Sequence, residues 1–329
     1  MAKADQFKAL VRTHAEGDDE RFYAIAMQVA ARAARLGQTK FAQELRDLVD
    51  EAKQRRDTAR AGQKSRAVPI VQPRGELVGL LSASFPQARL TDMTLREDVR
   101  ARLEHVLVEQ RGRTQIREHG FSPLRKLLLI GPPGTGKTMT AAVLAGELGL
   151  PLFAIQLDGL ITKYLGETAA KLRLIFDTIR ESRAVYLFDE FDALGAERSA
   201  KNEVGEIRRV LNSFLQFMEL DESDSLVVAA TNHPDLLDRA LLRRFDSVIK
   251  YGLPTTEEAV EVLRGRLALL DTSKVGWAKV SAVVEGLSHA ELARAAQQAA
   301  KHAILAHRRE VRTGELVAAL EDRRASHSK

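Results

Sequence analysis

Eight residues, Gly131-Pro132-Pro133-Gly134-Thr135-Gly136-Lys137-Thr138, stand between the apolar run Leu127-Leu128-Leu129-Ile130 and a helix-forming stretch that begins Met139-Thr140-Ala141-Ala142. A strand, a glycine loop and a helix in that order restrict the chain to a small set of α/β folds, because together they build a cradle for phosphate groups. Gly131, Gly134 and Gly136 let backbone N–H groups turn toward phosphate oxygens. Lys137 supplies a point charge for the β- and γ-phosphates, and the Thr138 hydroxyl can ligate Mg²⁺. The residues expected to line a bound nucleoside triphosphate are therefore Pro133, Gly134, Thr135, Gly136, Lys137, Thr138 and Met139. The alternative is a glycine-rich turn with no ligand.

The 329 residues suffice for two or three domains, and a 45% hydrophobic content supplies a substantial core. No apolar run is long enough to cross a bilayer, and the charged start MAKADQFKAL does not read as a signal peptide, so a cytoplasmic location is expected. With no cysteine there is no disulfide, cysteine nucleophile or thiolate zinc site, and the eight histidines lack metal-binding spacing. Mg²⁺ carried by the nucleotide is the only metal expected. Fifty basic against 45 acidic residues make a mixed surface, which says little about nucleic acid.

Residues 1–57 read as three helices, with Phe22, Ile25, Ala26, Val29 and Ala33 at helical spacing, and form an expected N-terminal recruitment domain. Residues 58–84 lose periodicity and carry Gly62, Pro69, Pro73 and Gly75, as a linker does. Across the junction, from Lys53 to Arg66, the bases Lys53, Arg55, Arg56, Arg60, Lys64 and Arg66 face only Asp57 as an acid. They read first as a solvated helix end and tether, and second as a contact to an acidic partner or nucleic acid. Residues 85–252 alternate strands and helices, with strands predicted at 126–130, 151–156, 184–188, 225–230 and 247–251. Residues 253–329 read as wholly helical. The expected fold is α/β: a five-stranded parallel sheet with helices on both faces, a C-terminal helical lid and the N-terminal helical domain.

The run VYLF leads into Asp189 and Glu190, placing two acids at the carboxyl end of a strand, where open α/β sheets bind ligands. Asp189 is expected to hold Mg²⁺, and Glu190 to polarise the water that attacks the γ-phosphorus. The strand SLVVAA ends in Thr231 and Asn232. Asn232 can hydrogen-bond the lytic water and the γ-phosphate, or it can cap the turn beginning near Pro234.

GPPGTGKT, VYLFDEFDAL, VVAATNHPDLLDRALLRRFD and ITKYLGETAAKLRLIF together resemble the AAA branch of the AAA+ ATPases over roughly residues 85–310. The resemblance implies a homo-oligomeric ring, usually a hexamer, with ATP at each subunit boundary, and makes Asn232 the sensor of the γ-phosphate. It makes Arg243 and Arg244 arginine fingers that reach into the neighbouring subunit's site. Many relatives read LLRPGRFD, so this chain lacks the two residues between the arginines, and both fingers are assigned by position. The bland alternative is a pair of surface arginines bonded to Asp238 or Asp246.

Relatives commonly begin the lid helix near adenine with Gly-Ala-Asp, where this chain has His289-Ala290-Glu291. Ala290 takes the place of a lid arginine found in other branches. His289 can stack on or hydrogen-bond the base, although a surface or helix-capping role is the preferred reading. The resemblance also places the backbone around Leu90–Met93, with Asp92, beside adenine.

By the same resemblance Lys163, Tyr164 and Leu165 form a pore loop that grips an extended polypeptide, and a second loop near 197–206 lies beneath it. Tyr164 packed in the core is the alternative. The implied function is remodelling, unfolding or translocation of protein substrates, delivered directly or through an adaptor. Nucleic-acid remodelling and an ATP-controlled switch are the alternatives. No protease constellation is present in the sequence, and resemblance suggests a separate subtilisin-like partner if degradation is the outcome.

Overall fold

The computed structural model describes residues 75–160, 165–194, 204–236 and 242–327, with Gln43 and Pro73. The N-terminal helices expected over 1–57, the pore-loop residues Lys163 and Tyr164, and residues 197–203 of the second loop lie outside the described residues. Apart from Gln43, everything described belongs to the unit Val71–Lys329.

Strands β1 (Leu81–Ser84), β2 (Lys126–Ile130), β3 (Leu152–Ile155), β4 (Val185–Phe188), β5 (Leu226–Thr231) and β6 (Ser247–Lys250) form one sheet in the order β1-β3-β4-β5-β2-β6. The strands β3, β4, β5, β2 and β6 run parallel, as the five apolar runs predict. An additional strand, β1, pairs antiparallel to β3, with Leu81 opposite Ile155. It falls in the stretch read as linker because LSAS is short and exposes all but its first residue.

Helices α1 (Glu97–Arg111), α2 (Arg113–Glu118), α3 (Lys137–Leu148), α4 (Leu157–Leu160), α5 (Leu165–Glu181) and α6 (Val204–Leu220) accompany the sheet. Alternation along each strand sends side chains to two cores. In β2, Leu128 and Ile130 join Tyr186 and Phe188 of β4 and Phe176 and Phe214 of α5 and α6 on one face. Leu127 and Leu129 join Leu103 of α1 and Leu144 of α3 on the other. Each such buried side chain stabilises the fold by about 1.5–3 kcal/mol. A parallel strand buried on both faces reads as an unbroken apolar run, which is why these strands are legible in sequence.

Beyond β6 the chain is helical: α7 (Thr256–Arg266), α8 (Trp277–Ser281), α9 (His289–Leu305) and α10 (Thr313–His327). These helices bury their own cluster, including Leu263, Val280, Leu292, Ala296 and Leu320. Thr255 caps α7 through a reciprocal pair, its hydroxyl accepting from the Glu258 N–H and its own N–H donating to the Glu258 carboxylate. Among the described residues no helix is long and apolar enough to cross a membrane.

Candidate active site

The carboxyl ends of β4, β5 and β2 lie side by side on one edge of the sheet, because the three strands are parallel neighbours. Ile130 is in register with Thr231, and the Gly131 N–H continues the ladder to the Thr231 carbonyl at 3.3 Å. The glycine loop, the acid pair and the Thr231-Asn232 end are thereby delivered to one place.

The loop permits no side chain at its glycines. A Cβ on Gly131 would come 2.4 Å from the Tyr251 carbonyl oxygen, and one on Gly136 would meet the Met93 methyl at 3.0 Å. Gly134 and Gly136 also have φ of 74° and 101°, a region that favours glycine. Thr140 holds the loop from behind, its hydroxyl 2.6 Å from the Tyr251 hydroxyl and 3.1 Å from the Gly136 carbonyl. Burial of Tyr251 pushes its pKa up to about 12.

Lys137 lies at the start of α3, and its ammonium donates to the carbonyls of Gly131 at 2.8 Å and Pro132 at 2.7 Å. Burial lowers its pKa, and Asp189 and Asp192 oppose that shift. The Thr138 hydroxyl donates to Asp189 Oδ2 at 2.6 Å, so two oxygen groups of the kind a hard cation takes meet at the loop. These residues fit Mg²⁺. Glu190 adopts φ of 50°, a left-handed conformation costing a non-glycine residue about 1–2 kcal/mol, and its N–H donates to Asp189 Oδ1 at 3.0 Å. Phe191 and Phe188 pack on Phe214 with ring centroids 4.8 and 5.1 Å away, and root this turn in the core.

Asn232 is half-buried at the end of β5. The turn after it is bonded by Thr231, whose hydroxyl accepts from the His233 N–H at 3.0 Å and donates to the buried Asp192 carboxylate at 2.8 Å. Arg243 is exposed, whereas Arg244 faces Glu219 of α6 with Nε 2.7 Å from the carboxylate. Of the two acids expected beside these arginines, Asp238 lies outside the described residues, and Asp246 accepts instead from the backbone N–H groups of Arg125 and Lys126, both at 2.9 Å. Arg244, in the turn before β6, therefore finds its acid on α6.

Asp92 accepts the Arg89 N–H at 2.7 Å and closes a 3₁₀ turn over Leu90–Asp92. That segment is strapped to the end of α3: the Leu90 N–H donates to Glu147 Oε1 at 3.1 Å, and Arg89 donates to the Gly146 carbonyl at 3.0 Å. Glu147 was not among the residues selected from sequence. The available signal is Gly146, a glycine inside a helix, which marks a close backbone approach. A Cβ there would lie 2.2 Å from the Ala88 carbonyl.

The lid reaches the loop through α9. The Ala290 N–H donates to the Gly134 carbonyl at 3.0 Å, and a Cβ on Gly134 would lie 2.6 Å from Ser288 Oγ and 3.0 Å from the Ala290 Cβ. Ser288 is the N-cap of α9, in a capping box with Glu291. His289, preferred on sequence as a surface or capping group, does not cap the helix. Both of its ring nitrogens are shielded from water with no hydrogen-bond partner. Burial lowers its pKa, and Glu258 and the Thr94 backbone oppose that, Thr94 lying near the ring without completing a hydrogen bond.

Comparison with known proteins agrees with this geometry. The sequence pattern of the ATPase family associated with various cellular activities (AAA) matches residues 127–253. A Sinorhizobium fredii protein named as an uncharacterized AAA family ATPase, y4kL, is 35% identical over 326 residues, covering 98% of this chain and 96% of its own. An ATP-dependent zinc metalloprotease, FtsH 4 of Sphaerobacter thermophilus, is 34% identical over 226 residues, 66% of this chain but 34% of that protein. The proteasome-activating nucleotidase of Methanoregula boonei is 31% identical over 262 residues, 77% of this chain and 60% of its own. Among solved structures, the FIGL-1 AAA domain shares the fold with a TM-score of 0.58 at 23% identity, over 74% of this chain and 85% of that one.

Proposed function

The chain belongs to the AAA family of ATPases and hydrolyses ATP, and from that premise we propose that it works as a homo-oligomeric ring, usually a hexamer, that remodels protein substrates. The observation that carries the shared-site part is the contrast between two adjacent arginines. Arg244 is engaged by Glu219 of its own chain, and Arg243 is exposed with no ion-pair partner among the described residues. Neither contacts Lys137, Thr138, Asp189 or Glu190 among the described contacts, so the guanidinium for the γ-phosphate comes from a neighbour, and Arg243 is the one available to give it.

The chemistry then divides among residues of known placement. Backbone N–H groups of the glycine loop and the Lys137 ammonium bind the β- and γ-phosphates, Lys137 exchanging its two carbonyl partners for phosphate oxygens. Thr138 and Asp189 hold Mg²⁺, which when bound neutralises charge on those oxygens. Glu190 polarises the attacking water and takes its proton, and Asn232 orients water and γ-phosphate. Arg243 of the adjacent subunit neutralises charge that develops in the transition state.

Protein as the substrate is supported by the names of the relatives, a proteasome-activating nucleotidase and an ATP-dependent metalloprotease. The KYLGE segment supports it too, as an aromatic loop suits many side chains. The test is capture: Glu190→Gln, which binds ATP and does not turn over, is crosslinked in cells and its cargo identified. Recovery of extended protein segments at Tyr164 is expected, and recovery of nucleic acid in place of protein sinks the reading.

A further inference from the structure

Behind the glycine loop two hydroxyls meet inside an apolar core. Thr140 of α3 and Tyr251, the residue after β6, are both buried, and Tyr251 belongs to the cluster that includes Met93, Leu129, Ala141 and Ile249. Polar groups set into such a core cost desolvation that an aliphatic pair of the same shape avoids. Whatever these hydroxyls contribute therefore lies in their hydrogen bonds.

Counting protons fixes the direction of those bonds, since each hydroxyl has one to give. The Tyr251 hydroxyl has Thr140 Oγ1, 2.6 Å away, as its hydrogen-bond partner, and no other among the described residues. Thr140 has a choice: the Gly136 carbonyl at 3.1 Å and, more weakly, the Met93 sulfur at 3.9 Å can also accept from it. If Thr140 donated to Tyr251, the phenolic proton would be buried without an acceptor. The order that satisfies every group runs from Tyr251 to Thr140 and from Thr140 to the Gly136 carbonyl. Burial keeps Tyr251 protonated, with its pKa at about 12.

The Gly136 carbonyl also accepts the Thr140 N–H at 2.9 Å, so one residue fastens it twice. Gly136, at φ of 101°, has no side chain to set the orientation of this peptide, and the bonds at its carbonyl do so instead. The same peptide carries the Lys137 N–H, which opens α3 and has no carbonyl one turn earlier to take it. Such an N–H is a donor that a phosphate takes. A hydrogen bond received at one end of a peptide strengthens donation at the other, by about 10–30% per bond.

We propose that Tyr251 is a positioning residue for phosphate binding, its hydroxyl acting through Thr140 to fix and polarise the Gly136–Lys137 peptide whose N–H serves the phosphates. The inference rests on phosphate binding at the glycine loop, and it extends the cradle to a side chain beyond the loop and its helix.

The experiment is calorimetric titration of the full chain with ADP and with inorganic tripolyphosphate, beside urea unfolding and steady-state ATP hydrolysis. Tyr251→Phe keeps the ring and removes its hydroxyl, and Thr140→Val keeps the branched shape and removes the other. Each is expected to weaken both ligands alike by about threefold to tenfold, and to raise the KM for ATP by the same factor with kcat changed by less than about twofold. Thr140→Ser, which retains the bonds, is expected to keep full affinity. The double variant Thr140→Val/Tyr251→Phe separates positioning from packing. It leaves no buried hydroxyl unpaired, so the urea midpoint that falls in Thr140→Val is expected to return while the loss of affinity persists. Unchanged affinity in Tyr251→Phe overturns the proposal. Recovery of affinity together with stability in the double variant does so too, because it marks a packing role, as does weakening of ADP without tripolyphosphate. If the unaltered chain bound neither ligand, the phosphate site itself would fall and the proposal with it, an outcome distinct from failure of Tyr251 alone.

Discussion

The hydroxyl of Thr231, the last residue of β5, donates at 2.8 Å to the buried carboxylate of Asp192 and so fastens the strand end that bears Asn232 to the turn that bears Glu190. The two groups proposed to meet at one water molecule are thus linked by a side-chain bond between the ends of adjacent strands.

Thr231→Val keeps the shape and removes that bond. Leaving Asp192 unpaired costs about 1–3 kcal/mol of stability, visible in urea unfolding. A misplacement on the order of 1 Å at the reacting centre lowers kcat by up to about a hundredfold with little change in ATP affinity. Thr231→Ser retains both. An unchanged kcat in Thr231→Val removes the strap from the mechanism.

Gly146→Ala tests the segment strapped to α3. Helix propensity alone favours alanine by about 1 kcal/mol. The added Cβ would stand 2.2 Å from the Ala88 carbonyl, a backbone atom that cannot rotate away, and such overpacking costs about 1–3 kcal/mol. The clash wins. The Ala88–Asp92 segment is displaced, and the KM for ATP rises more than kcat falls, as steady-state hydrolysis will show.

Separating Arg243 from Arg244 tests the shared site. Arg243→Ala is expected to lose about 10³-fold or more in kcat, the usual worth of a finger, whereas Glu219→Gln loosens Arg244 with a smaller effect. Mixing Arg243→Ala with Lys137→Ala subunits restores part of the activity, since each kind supplies what the other lacks. An absence of recovery at every ratio refutes action across an interface.

Acid titration distinguishes the burial of His289 from its chemistry. Its folded pKa lies below the ordinary value, burial being the larger cause. As pH falls below about 6.5 the unfolded chain takes up a proton that the folded chain refuses, so stability is lost on acidification until the folded pKa is passed. Above that range the residue contributes no slope. His289→Gln is therefore expected to lose less stability than the unaltered chain between pH 7.5 and 5.5 in urea unfolding, and parallel losses refute the assignment.

Strands buried on both faces announce themselves as apolar runs, and the parallel order follows from the helices between them. β1 escaped because a four-residue edge strand with one buried position lacks any such pattern. At the site, motif spacing leads to Lys137, Thr138, Asp189 and Glu190, and the structure brings them together. Glu147, Glu219 and the Asp192–Thr231 bond were not legible, because each joins residues far apart in sequence and none has a local pattern. His289 read as a surface group for the same reason: only the arrangement of α9 against the loop conceals its nitrogens.

The bond from the Ala290 N–H to the Gly134 carbonyl makes the phosphate cradle and the lid mechanically one piece. An outward swing of α9 would break this hydrogen bond, at a cost of about 1 kcal/mol, so a displacement of the helix is felt at the loop. A glycine carbonyl is thus the point at which the helices after β6 hold the glycine loop.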